Sequence, residues 1–227
     1  MVDDITALEA LGQVKIVSLH NFCPIPDAVE RRLALPDYYS LASLNKEERS
    51  LAIKFAKRTI DTAKRLNAQA VVLHTGRIEI EDKTKVLMEA FKSSGKDSNE
   101  FNRLREIMKQ ERKESIAPYF ENALQSLKEL SQYALDCGIK LGIENRYYYR
   151  EIPSFEEIGI ILERFKNGNI FYWHDVGHAH VWENLGFASN IDYLKEYSDK
   201  LLGMHLHDVI ETDDHLAPLE GDIDFTK

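Results

Sequence analysis

The sequence predicts an α/β fold, a (β/α) barrel that is incomplete, with five or six parallel strands. Three observations predict it. Five short apolar runs each finish in His, Glu or Asp and then break into a polar loop: VKIVSLH at His20, AQAVVLH at His74, KLGIE at Glu144, NIFYWHDVGH at Asp175 and His178, and KLLGMHLHD at His205. The intervals from Glu144 to Asp175 (31 residues) and from Asp175 to His205 (30 residues) match one strand plus its crossover helix. Amphipathic stretches fill the gaps, and runs 68–73 and 168–173 are almost continuously apolar, as in a parallel sheet covered by helices.

The elements follow in order. The first 13 residues read as an acidic helix with no strand before it, and they lack the basic-then-apolar build of a signal peptide. Residues 27–45, between the first strand and its helix, have the length of an active-site loop. In 46–66 the residues Leu51, Phe55, Ala56, Ala63 and Leu66 share one helical face. Residues 77–118 break the rhythm with one extra, highly charged helical hairpin, either a solvated excursion or a lid over the barrel mouth. Helical spacing returns in 119–136 with Phe120, Leu124, Leu127, Leu130 and Ala134. Ser154 is placed to cap a helix whose first turn carries Glu156 and Glu157. Only VIETDDHLAPLEGDIDFTK, residues 209–227, follows the fifth run, whereas a closed eight-strand barrel typically needs ~250 residues. With no Pro/Gly/Ser-rich linker, residues 1–227 are expected to form one domain carrying the insert at about 77–118.

Composition narrows the function. A net charge of −9 weighs against nucleic acid as the main partner, because phosphate binding depends on clustered Lys and Arg. No apolar run reaches the length of a membrane span. Cys23 and Cys137 are too few for a disulfide framework, so a reducing, cytoplasmic setting is expected. Glycine-rich phosphate loops and a G-x-S-x-G elbow are both missing from the sequence.

In a parallel barrel every strand C-terminus opens at one end, so ligands far apart in sequence converge there. Imidazole and carboxylate at those ends suit zinc, manganese and similar divalent ions. Each residue also has a plainer reading. Glu144 could form an ion pair with Arg146, Asp175 and His178 could close a turn, and His20 or His74 could bond a backbone carbonyl. His174 and His207 alternate with Asp175 and His205, so both are expected to face away as structural residues. Asp213 and His215 stand on same-side positions of an extended segment and are expected to act as a pair. Trp182 is expected to pack, and Tyr147, Tyr148 and Tyr149 either line the mouth or cover the barrel.

The motifs LHN at 19–21, VVLHTG at 71–76, GIEN at 142–145, HDVGH at 174–178, MHLHD at 204–208 and DDHLAPLEGDIDF at 213–225 together resemble the xylose-isomerase-like TIM-barrel superfamily. That superfamily joins sugar isomerases and epimerases to the endonuclease IV type of DNA-repair enzyme. The endonuclease-like pattern implies metal ligands at His20, His74, Glu144, Asp175, His178, His205, Asp213 and His215. The isomerase pattern implies one divalent ion, zinc or manganese, on Glu144, Asp175 and His205, with Glu144 also catalytic and a further glutamate from a last strand that has no counterpart before Lys227. The expected function is a metal-dependent isomerase or epimerase acting on a small sugar or sugar phosphate by proton transfer next to a metal-bound carbonyl. Two alternatives are a zinc-dependent phosphodiesterase for abasic DNA and a non-catalytic barrel. A homodimer is expected, because an incomplete barrel has open edges.

Overall fold

Each apolar run becomes a short strand: β1 (Ser18–His20), β2 (Ala70–Leu73), β3 (Lys140–Glu144), β4 (Ile170–Asp175) and β5 (Leu201–His205). The computed structural model describes residues 2–27, 29–33 and 37–226. Residues 28 and 34–36 of the expected active-site loop lie outside them. Among the described residues the five strands make one sheet in the order β1-β2-β3-β4-β5, each pair parallel. This is an incomplete (β/α) barrel.

Alternation along the strands sorts the two faces of the sheet. Val71, Leu73, Leu141, Ile143 and Ile170 point outward into a buried cluster with Ala52, Ala56 and Ile60 of α2 (Lys46–Arg65) and Leu127, Leu130 and Ala134 of α4 (Asn99–Cys137). Tyr172 points outward beneath α5 (Phe155–Arg164) and α7 (Asn190–Tyr197), packed with Ile158, Tyr193 and Tyr197. The opposite face carries Ala70, Val72 and Trp173. A Cβ on Gly142 or Gly203 would run into the Trp173 indole, so these two glycines make room for one large ring across three strands. The register places Glu144 opposite Trp173 and Asp175 opposite His205, so the strand ends stand on this inner face, above the indole.

Local chemistry sets the boundaries. Asn45 accepts from the Glu47 and Glu48 N–H groups to start α2. Ser154 starts α5 with a full capping box, its side chain on the Glu157 N–H and the Glu157 carboxylate on the Ser154 N–H. Gly138, in the left-handed region, ends α4 and turns the chain into β3.

The expected insert resolves into α3 (Thr84–Ser94) and the first half of α4. The second half of that hairpin is thus continuous with the helix expected at 119–136, giving one helix of 39 residues. The insert buries Leu87, Met88, Phe101 and Met108 against Val181 of α6 (Val176–Asn184) and Leu185 just beyond it. A short α1 (Val2–Ala10) precedes β1, and β6 (Asp208–Ile210) pairs antiparallel with β7 (Asp213–Leu216) beyond β5.

Candidate metal centre

Glu144 ends β3 with a side chain almost wholly buried, and three imidazoles surround its two oxygens. His74 Nε2 lies 2.8 Å from Oε2, His20 Nε2 3.3 Å from the same oxygen, and His205 Nδ1 2.6 Å from Oε1. The far nitrogens of two rings are already engaged. His20 Nδ1–H donates to the Asn21 carbonyl at 2.9 Å, and His74 Nδ1–H to Asp37 Oδ2 at 2.8 Å. In the neutral tautomer this leaves the Nε2 lone pairs of both rings aimed at a carboxylate oxygen. Acceptors facing one another this closely need a proton or a cation between them.

Asp175 ends β4. Its Oδ1 accepts from the His178 N–H at 2.8 Å, which also caps α6, and its Oδ2 lies 3.5 Å from His205 Nδ1. Asn145 locks the backbone here, accepting from the Asp175 N–H at 2.7 Å and donating to the Asp175 carbonyl at 2.9 Å. His178 Nδ1–H donates to the Asn145 carbonyl at 3.1 Å, which leaves its Nε2 open.

The titration directions follow from these contacts. Burial pushes the Glu144 carboxyl up, but hydrogen bonds from His20, His205 and His74 outweigh it and hold Glu144 well below the usual carboxylate range. Asp175 is likewise held low: burial opposes, and His178, His205 and His207 prevail. Burial pulls His205 down, yet Asp175 and Glu144 raise it to about 9.

Among the described residues, four groups of side chains bring ligand atoms within 4.8 Å of one another: His20–His74–Glu144, Glu144–Asp175–His205, Asp175–His178–His207 and His207–Asp214–His215. The donor set is imidazole and carboxylate throughout, which fits a zinc- or manganese-type ion. Most of these residues line one cleft of about 1140 Å³, whose rim carries Tyr38, Arg77, Lys85, Tyr147, Tyr148 and Arg150.

Of the eight residues singled out in the sequence, His20, His74, Glu144, Asp175, His178, His205 and His215 fall within these groups, and Asp213 does not. Its carboxylate is largely exposed and bonds Lys92 at 2.7 Å. Asp214 takes the place beside the centre instead, 2.8 Å from His215 Nδ1. Same-side alternation fails here because His215 has φ +66°, outside the extended region. His207 also departs from expectation. The strand ends at His205, so alternation no longer governs His207, and its Nε2–H donates to Asp175 Oδ1 at 2.9 Å while its Nδ1 accepts from the His215 N–H. His174 faces outward, between the Tyr172 hydroxyl and Asn190. Sequence reading missed Asp37, Glu151, His207 and Asp214 as contributors. Asp37 stands in a loop with no periodicity to read, and Glu151 lies seven residues past its strand end.

A family model covers residues 5–227. The chain belongs to the xylose isomerase-like TIM-barrel family. The chain is 27% identical over 187 residues to an uncharacterized protein of Methanocaldococcus jannaschii, covering 81% of this chain and 53% of that protein. It therefore spans about half the length of that curated relative. Among solved structures it is similar to a D-tagatose 3-epimerase-like protein, at 23% identity and TM-score 0.64, covering 99% of this chain and 68% of that one. The 3-keto-D-glucoside 4-epimerase of E. coli matches at 15% identity and TM-score 0.66, with 99% and 69% covered. The IOLI protein, solved with a binding zinc atom, matches at 17% and 0.63, with 99% and 65% covered. At these identities the likeness carries the fold.

Proposed function

We propose that this chain is a metal-dependent sugar isomerase or epimerase, with Glu144, Asp175 and His205 holding one divalent ion. The observation that carries this reading is the meeting of those three donors at adjacent strand ends, in the floor of a cleft large enough for a sugar. Fold relatives named as epimerases, and one solved with zinc, support it. A bound divalent ion would supply Lewis acidity toward adjacent carbonyl and hydroxyl oxygens of the substrate, and so acidify the C–H bond between them. Glu144 is the residue of this chain proposed to move that proton. Its carboxylate is ionised and fixed in position, but its many hydrogen-bond donors make it a weak base. The reading therefore asks more of C–H polarisation than of basicity. Tyr38, Tyr147 and Tyr148 at the rim offer apolar ring faces to a sugar, and Lys85, Arg77 and Arg150 suit a sugar phosphate. We further propose that residues 1–227 act as one domain in the cytoplasm. No helix among the described residues is long and apolar enough to cross a membrane.

One observation favours a second reading. The two oxygens of Glu144 face different groups, Oε2 toward His20 and His74 and Oε1 toward His205, which leaves room for more than one ion. Two or three ions would suit phosphodiester hydrolysis. Elemental analysis of protein purified without added metal separates the readings. One ion per chain supports the isomerase type, two or three support the phosphodiesterase type, and none supports a non-catalytic barrel.

A further inference from the structure

Arg146 follows the strand end that carries Glu144, and it is only 3% exposed. A buried guanidinium is costly unless its donors are satisfied. Here the two terminal nitrogens, though not the buried Nε, find partners in three carboxylates: Nη1 donates to Glu144 Oε2 at 3.1 Å, while Nη2 donates to Asp37 Oδ2 at 2.9 Å and to Glu151 Oε1 at 3.1 Å. Each carboxylate leads somewhere different. Glu144 sits at the middle of the candidate centre. Asp37 Oδ2 also takes the Nδ1–H of His74, so the position of Asp37 sets the direction of the His74 Nε2 lone pair. Glu151 touches none of the imidazoles within hydrogen-bond distance. Its Oε2 accepts the Tyr148 N–H at 2.9 Å, and its backbone bridges to Arg77, whose Nη1 donates to the Asp37 carbonyl at 2.6 Å. Glu151 is thus an anchor in the framework, and Arg146 carries its rigidity to Glu144, which faces the ion position, and through Asp37 to His74 behind it.

We propose that Arg146 is the positioning residue of this centre: by clamping Glu144 and Asp37 to the anchored Glu151, it fixes the direction of the Glu144 carboxylate that the ion would share with Asp175 and His205, steadies the His74 imidazole against the other oxygen of that carboxylate, and so sets affinity for a divalent ion. The inference rests on the divalent-ion reading above. The plainer role, neutralising buried negative charge, needs only a cation at this place. The positioning role needs the planar fork, because an ammonium is a point charge and cannot span three acceptors in fixed directions.

The test is Arg146→Lys, with zinc and manganese affinity measured by competition against a chelating dye, on protein whose fold is checked by circular dichroism. Positioning predicts a loss of about 10- to 100-fold in affinity, the range seen when partners that orient metal ligands are removed. Charge neutralisation alone predicts a lower thermal midpoint with an unchanged dissociation constant, and that result would overturn the proposal. Should Arg146→Lys fail to fold, Glu151→Gln serves in its place. It alters the anchor and leaves the ion-facing groups intact, and positioning predicts the same direction of change, toward the lower end of that range. An affinity within twofold of wild type in Glu151→Gln would then count against the clamp. If the wild-type chain itself binds neither ion, the divalent-ion reading falls, and the clamp with it.

Discussion

At Asp175 and His174 two neighbouring residues face opposite sides of β4, and this makes them the sharpest pair for testing the centre. Asp175 points inward to His205, His207 and the His178 N–H. His174 points outward, where burial pulls it down to about 4 and its two nitrogens meet Tyr172 and Asn190. Asp175→Ala is therefore expected to abolish activity and most bound metal. His174→Ala should keep the metal and lose about 1–3 kcal/mol of stability from the buried partners left unsatisfied. Equal metal loss in both, read by elemental analysis, would contradict this placement. Gly177 offers a second test, because a Cβ there would collide with the His207 ring. Gly177→Ala should fold, push His207 off Asp175, and weaken ion binding about tenfold, as expected for a lost partner of a metal ligand. Unchanged affinity in that variant would mean that His207 plays no supporting part.

Whole elements repeat the same logic. The helices at 46–66, 119–136 and after Ser154 were legible in the sequence because their signals are local: a 3.6-residue apolar period, and Ser154 ahead of two glutamates. The capping box at Ser154 ties α5 to the turn after Ile152, and Ser154→Ala should cost about 1 kcal/mol in urea denaturation with the slope unchanged. A cost near zero would show that packing alone holds the helix start. The strand ends were legible too, since an apolar run that stops at His, Glu or Asp is a rare local pattern. Past the strand ends the period-2 rule lost its hold. At His207 the chain had left the strand, and at His215 the backbone had turned into the left-handed region, so both side-chain directions came out differently from simple alternation.

The molecule as a whole leaves two sheet edges, β1 and β5, at the ends of the strand order. The insert does not serve as a second sheet partner; its apolar face packs on α6 and on Tyr147 and Tyr149 after β3. Exposed apolar side chains gather in and beside both edge strands, with Val14 and Val17 at one and Met204 and Leu206 at the other. Unpaired strand edges with apolar neighbours invite pairing. We therefore expect a homodimer by light scattering at micromolar concentration, and a clean 26.2 kDa species would refute it. Ion binding should also show in global stability. At about 100 times its dissociation constant a bound ion adds ~2.7 kcal/mol, so a chelator should lower the melting midpoint by about 5–10 °C. An unchanged midpoint would mean that no ion is bound in the folded state.

By itself the sequence determined the parallel α/β class, the strand ends, the extent of α2 and the start of α5, because each of these rests on local periodicity, capping chemistry or side-chain chemistry at a strand end, and with the family resemblance it named seven of the residues that gather at the centre. Tertiary structure alone decided the supporting shell. Asp37 reaches His74 across 37 residues, Arg146 reaches Asp37 across 109, and His207 reaches Asp175 across 32. No local pattern encodes these contacts; they exist only because the curled sheet brings loops from different strands over one point. The exchange of Asp213 for Asp214 has the same origin. One residue in the left-handed region redirects the side chains around it, and a string of residue types does not reveal which residue will adopt that conformation.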